Sequence, residues 1–528
     1  MRVLARIRWW MLLACAACAS CTKTPPATAT AVLRISQRNE PADLDPARAT
    51  LPDEFFVIRA LSEGLLTPNP DGGAPLPAAA ERYDVSGDGL TYTFHLRAGA
   101  QWSNGEPVTA SDFLAAYRRA LTPATAAPKA NVFFVVKNAR DFLRGLIRDF
   151  DAVGFRAPDA RTLVITLAQP NPRFPYYAAS GPWIPVNPRV AEKFGRAWTR
   201  PDHFVGNGPF TLAEWRPQQR IVVKRSPMFH DAANVRLDEI QFIRFDDGDS
   251  EERAFRAAQI DVTMDVPRTK LDVYARDHPA ELHRVPLAET RFLTFNTQRP
   301  ALADARVRRA LALAIDRQKI VERVLLGGQE PATRLVPPAL LVAGASRDDA
   351  RGSGQATPLR DFNPGEARRL LAAAGFAGGK KFPALELSAW SRSQIPVLEA
   401  IQQMWKQELG LDVTLAVRDA KVHVAALISG GYDIGFITAI PDVADPADLL
   451  NRFADGAPEN YPHWAGADFN RALAAADFDA AEQRLLDAAA IAPLYFNTHT
   501  WLQSPRVRGW REDALWTRFY TGVTVEPH

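Results

Sequence analysis

YDIGFITAIPDVADP, residues 432–446, reads as a strand that ends in a cluster of acids. Tyr432 to Ile440 is almost wholly apolar, and Pro441, Asp442, Asp445, Pro446 and Asp448 follow. Upstream, LDVTLAV (411–417) and the stretch Phe382–Ala389 read as further short strands. Between them Leu398, Ile401, Met404 or Trp405, and Leu409 recur at helical spacing. Strand, helix, strand and strand in that order predict an open α/β sheet. Ligands of such sheets lie beyond the carboxyl ends of the strands. Asp442 stands just past one of those ends.

Strands and helices alternate through the rest of the chain, so the fold class is α/β. Ala31–Gln37, Leu90–Arg97, Thr162–Leu167 and Arg220–Arg225 read as strands. In LTYTFHLR, Tyr92, Phe94 and Leu96 alternate with Thr91, Thr93 and His95, which predicts one buried face. VTASDFLAAYRRAL (108–121) predicts a helix capped by Thr109, with Asp112 completing a capping box. Asp304–Arg317 predicts a second, capped by Asp304. The polar, Gly-rich stretch Ala343–Pro364 predicts a surface loop.

The first twenty residues predict a leader. Arg2, Arg6 and Arg8 precede an apolar run, Trp9–Ala19, that is too short to cross a bilayer, which takes about 18–20 residues. The chain's three cysteines, Cys15, Cys18 and Cys21, all lie in or beside that run. The pattern resembles a bacterial lipoprotein signal, with Cys21 the expected acylated residue and Cys18 the fallback. TKTPPATATA would then be a tether, and the lipid the sole membrane attachment. Without the leader, Lys plus Arg and Asp plus Glu balance at 60 each. That neutral balance argues against a nucleic-acid partner, which needs a basic face. About 500 residues is too many for one core and predicts two to four domains.

A search for catalytic chemistry finds no GxSxG, no HExxH and no phosphate loop. The nine histidines are scattered, with none at metal-ligand spacing. Asp246–Asp247 and Asp348–Asp349 read as solvated loop acids. Neither a metal nor a cofactor is expected, and the balance moves from enzyme to binding protein.

Five blocks, in order, resemble the extracytoplasmic solute-binding proteins of peptide ABC importers, family 5. They are EPADLDP (40–46), LSEGLL (61–66), GLTYTFHLRAGAQWSNGEPVTASDFLAAYRR (89–119), VGNGPFTLAEWRPQQRIVVKRSPMF (205–229) and FNTQRPALADARVRRALALAIDR (295–317). EKFGRAWTRPDHFVGNGPF (192–210) and residues 432–446 carry a likeness to the branch that binds oligopeptides and murein tripeptide. The resemblance implies a two-lobed periplasmic binding-protein fold (type II, cluster C-like) with an additional inserted N-terminal domain. The implied spans are a signal peptide 1–20, a tether 21–30, lobe I 31–66, the insertion 67–187, lobe I again 188–287, lobe II 288–504, and a return to lobe I 505–528. It also implies a monomer that binds peptides in a closing cleft and delivers them to an ABC permease–ATPase complex. The location would be periplasmic, lipid-anchored, with Thr22 after Cys21 favouring the outer membrane.

The same resemblance assigns site residues. Asp442 matches the aspartate that receives a peptide's α-ammonium; read from the residues alone, it is a loop acid capping the helix that begins near Asp445 or Pro446. Phe436 and Ala439 stand where the branch has an arginine and a tryptophan, and Gln394 where it has a histidine. Glu54 matches a glutamate lining the cleft, and PDEFF (52–56) also fits a plain helix start. Thr294–Thr297 and Ile437–Ala439 are candidates for main-chain contact with a ligand or for sheet pairing. Hinge crossings are expected near Val285–Glu289 and Ser504–Gly509.

Overall fold

The computed structural model describes residues 30–341 and 362–527. The leader cysteines and most of the expected loop 343–364 therefore lie outside the described residues. Three sheets organise the chain, each with its own core.

The first sheet runs in the order Val32–Gln37, Glu239–Arg244, Arg220–Arg225, Phe210–Arg216. Its first pair is parallel and the others antiparallel. Leu33, Ile35, Ile221, Val223, Ile240 and Phe242 pack with Phe56, Val57 and Leu61 of the helix Pro52–Leu61.

The second sheet, Ala80–Val85, Thr91–Leu96, Thr162–Thr166 and Phe155–Asp159, is antiparallel throughout. Tyr92, Phe94 and Leu96 form its buried face, as their alternation predicts. The helix Ala110–Leu121 covers it with Phe113, Tyr117 and Ala120. Asp112 accepts the Thr109 amide at 2.9 Å and the Trp102 indole at 3.1 Å. Thus two parts of the 89–119 block, WSNG and TASDF, are joined by one buried carboxylate.

The third sheet has six strands, in the order Glu330–Pro331, Ile491–Leu502, Leu282–Phe295, Ile434–Ala439, Leu385–Ala389, Val413–Val417. The last three are parallel, as expected of an open α/β sheet. Two long antiparallel strands, Leu282–Phe295 and Ile491–Leu502, complete it and were not legible as strands in the sequence. These two strands also connect the first body to the third. Val285 and Trp501 pack in the first core, whereas Leu293 and Ile491 pack in the third. Their register shifts between Pro286 and Thr290, overlapping the expected crossing Val285–Glu289. The return crossing lies opposite that shift, between Phe496 and Thr498, and so precedes the expected Ser504–Gly509.

The helix expected over 304–317 stops at Leu313. Asp304 caps it through the Arg306 amide, but Asp316 caps a separate turn through the Lys319 amide. The buried Arg317 guanidinium bonds the carbonyls of Ala312, Ile315 and Pro493, which satisfies acceptors released by the break.

Candidate functional site

The strand Ile434–Ala439 ends in the third sheet, and the segment after it projects onto the second body. Val443 packs in that body's core. The Arg173 guanidinium donates to the Ala444 carbonyl at 2.8 Å, and Tyr177 Oη donates to Asp445 Oδ2 at 3.1 Å. Asp445 also caps the helix Pro446–Leu450, accepting the Ala447 amide at 3.0 Å. The capping role open to Asp442 therefore belongs to Asp445.

Asp442 instead faces a cavity of about 1500 Å³. All three bodies wall it: Phe55 and Arg59 from the first, Lys129, Val132, Phe134 and Tyr176 from the second, Asp442, Asp448 and Arg452 from the third. It is larger than the ~300–1,000 Å³ clefts usual for compact small ligands. An extended occupant fits such a volume.

Lys129 Nζ lies 2.5 Å from Asp442 Oδ1. Each side chain of this pair keeps about a fifth of its exposure. Lys129 Nζ also sits 5.4 Å from the centroid of the Phe55 ring, on the first body. A single ammonium therefore touches side chains of both other bodies. Its backbone opens the short 3₁₀ turn Ala130–Phe133, whose Val132 and Phe133 are buried.

Behind Asp442 lies a buried network. The Asp442 amide donates to Asp448 Oδ2 at 2.6 Å. Arg452 lies 3.7 Å from Asp448 and 3.3 Å from Glu459, and donates to the Ile440 carbonyl at 2.7 Å. Burial pushes the Asp448 carboxyl up to about 6, with Asp442 adding to the rise and Arg452 opposing it. Within the sheltered part of the cluster Asp442 and Asp448 face Lys129 and Arg452, and Glu459 is exposed at its edge.

The other expected site residues lie elsewhere. Glu54 is buried and its carboxylate is fully used, accepting the amides of Ala42, Thr50 and Leu51 at 2.7–3.1 Å. It fastens the 42–51 loop to its helix and does not line the cavity. Phe436 and Ala439 are buried in the third core, because their strand is covered on both faces. The Phe436 ring lies 5.7 Å from Trp390. Gln394 precedes the helix Ile395–Leu409 and accepts the Trp390 amide at 3.3 Å. Thr290–Phe295 pairs with Ile434–Ala439, so both candidate contact segments spend backbone groups on the sheet. Lys129 was missed because nothing marks it locally: it is a lone lysine, 313 residues from its partner. Asp448 and Arg452, four apart, did carry a legible helical pairing.

The model for bacterial extracellular solute-binding proteins, family 5, matches residues 74–461. The chain belongs to that family. Curated family members from Escherichia coli K12 include the probable deoxycholate-binding periplasmic protein YgiS, 30% identical over 90% of each chain. The periplasmic murein peptide-binding protein MppA of the same organism is 30% identical over 91% of each. A crystal structure of Haemophilus influenzae OppA in complex with RPPGFSPFR superposes with a TM-score of 0.81 at 26% identity, covering 94% of this chain and 99% of that one. The fold is thus the two-lobed fold of periplasmic binding proteins. The family's members are extracytoplasmic, and no helix among the described residues is long and apolar enough to cross a membrane.

Proposed function

We propose that this protein binds peptides in the cavity between its lobes and delivers them to an ABC importer, with Asp442 receiving the α-ammonium. It binds its cargo without turning it over, and ATP hydrolysis belongs to the importer. The observation that carries the reading is the Lys129–Asp442 contact. It shows an ammonium seated on this carboxylate, on the wall of a cavity that suits an extended ligand. Because every peptide has a positive N-terminus, one carboxylate can recognise them all. Closure would follow from contacts the ligand makes only with the lobes together. The register shift at Pro286–Thr290 supplies a place for the bend. An acyl chain on Cys21, or failing that Cys18, would hold the protein to the periplasmic face of a membrane, with the outer membrane favoured. We propose that it acts as a monomer.

Asp442→Ala tests the site. It should weaken a free-amine peptide by about 2–5 kcal/mol in calorimetry. The N-acetylated form of the same peptide should bind wild type correspondingly weakly. Equal affinity of wild type for both forms would remove Asp442 from this role.

A second reading, a non-peptide amphiphile, is favoured by one feature. Phe55, Val132, Phe134 and Leu340 give the cavity an apolar wall. Native mass spectrometry of protein purified from its own cells separates the two: retained short peptides support the first, and one discrete apolar solute the second.

A further inference from the structure

We propose that Lys129 is a tethered rival for the ligand's ammonium, latching the inserted body onto lobe II through Asp442 and setting how strongly a free amine must bind to open the contact. This rests on the reading of Asp442 given above and deepens it.

Three observations carry the inference. The first is identity of chemistry. Lys129 Nζ is a primary ammonium, as a peptide's N-terminus is, and it already occupies Asp442 Oδ1. The second is placement. Lys129 comes from the second body and Asp442 from the third, so the pair is one of the links between these bodies, beside Val443, Arg173–Ala444 and Tyr177–Asp445, and the one that a ligand ammonium can replace. The third is charge balance. The sheltered acids Asp442 and Asp448 are matched by Lys129 and Arg452, and the third acid, Glu459, is exposed. A ligand ammonium therefore reaches Asp442 by exchange with Lys129 rather than by addition beside it. Exchange, not exclusion, is what this balance favours. Lysine suits the task because its charge is a point on a flexible stem, released by a few bond rotations; an arginine fork would hold the carboxylate through two bonds.

The pair is neither fully exposed nor fully buried. Exposed pairs contribute little and desolvated pairs at interfaces much more. A rival of intermediate strength suppresses free-amine affinity by about tenfold, which corresponds to about 1.4 kcal/mol. A ligand with no charged amine gains nothing from Asp442 and does not need the exchange.

The test uses a pool of unmodified tripeptides and the same pool N-acetylated. Binding is measured by calorimetry on the whole chain and on Lys129→Met, Asp442→Asn and the double variant. Methionine keeps an unbranched stem over Phe55 and removes the charge; Lys129→Gln is the second variant should that one fold poorly. Relative to wild type, Lys129→Met should raise the ratio of free-amine to acetylated affinity about tenfold. The gain should vanish in the double variant. In small-angle scattering without peptide, Lys129→Met should show a larger radius of gyration. If Asp442→Asn abolishes free-amine binding while Lys129→Met and Lys129→Gln leave it unchanged or weaker, the latch is overturned and the ammonium site stands. An unchanged radius of gyration also overturns the latch. If Asp442→Asn has no effect in either background, or no variant binds either pool, the ammonium site itself fails and takes the latch with it.

Discussion

Glu512→Gln should destabilise the first body by about 3–5 kcal/mol, and the reason lies in a cluster at the root of the crossing strands. Glu512 Oε2 lies 2.6 Å from His499 Nδ1, and Oε1 accepts from the Arg518 guanidinium at 3.0 Å. The other His499 nitrogen faces the Met264 carbonyl at 2.7 Å. The two ring nitrogens thus face Glu512 and Met264, and the ring ties the strand Ile491–Leu502 to the first body. All three side chains are within about a percent of full burial. Burial pushes the Glu512 carboxyl up, but His499 and Arg518 together outweigh it and hold it at about 2, below its usual 4.5. That difference favours the folded state by about 3 kcal/mol at neutral pH. Glutamine also leaves the Arg518 charge buried without a counter-ion, and breaking a buried pair in this way costs about 3–5 kcal/mol. Urea unfolding read by tryptophan fluorescence is the assay, because Trp501 stacks on His499, Trp516 lies tilted against it and Trp510 lies under Arg518. Since the folded carboxyl titrates below the unfolded one, its contribution is complete above about pH 4.5 and is lost as pH falls towards 2. The gap between wild type and variant should therefore close as pH falls below about 4.5. A loss under about 1 kcal/mol, or a gap that stays constant down to pH 2.5, would refute the reasoning.

Four further outcomes are expected. Asp112→Ala should cost about 1–3 kcal/mol in thermal denaturation, since the helix loses its capping acceptor and the fully buried Trp102 indole loses its partner; a loss under 0.5 kcal/mol, well below the typical cap value, would count against that role. Gly208→Ala should cost about 2–3 kcal/mol, because a Cβ there would stand 2.4 Å from the Ser62 amide nitrogen, backbone that cannot step aside. Gly105→Ala, at φ +87° but in open space, should cost only about 1 kcal/mol in the same assay. Free-amine peptides should bind more tightly as pH rises from 5 to 7. Asp448 titrates at about 6 in the folded chain, above its usual 3.8, so an added cation promotes loss of that proton and binding gains as the site ionises. Calorimetry across that range should show the trend, and a flat profile would show that Asp448 does not sense the ligand.

Much of the fold was legible in the sequence because its signals are local. Period-two alternation marked Tyr92, Phe94 and Leu96 as one buried face, and a capping box marked the start of the helix at Ala110. The parallel strands of the third sheet were visible as short apolar runs split by a helical pattern. The long strands Leu282–Phe295 and Ile491–Leu502 were not, since each passes from one core to another and carries buried polar residues such as Glu289, Thr290 and His499. No single periodicity survives that change of surroundings.

The site divides in the same way. Asp442 could be picked out because a carboxylate just past an apolar strand is conspicuous in the chain itself. The roles of Glu54, Phe436, Ala439 and Gln394 turned on which face of an element meets the cleft, and packing put them in cores and caps. The sequence by itself determined the class of fold, the ordered family blocks and the acid at the strand's end. Only the tertiary structure decided what meets that acid. Lys129 is 313 positions away, and an attraction between charges depends on their distance in space, about which spacing along the chain says nothing.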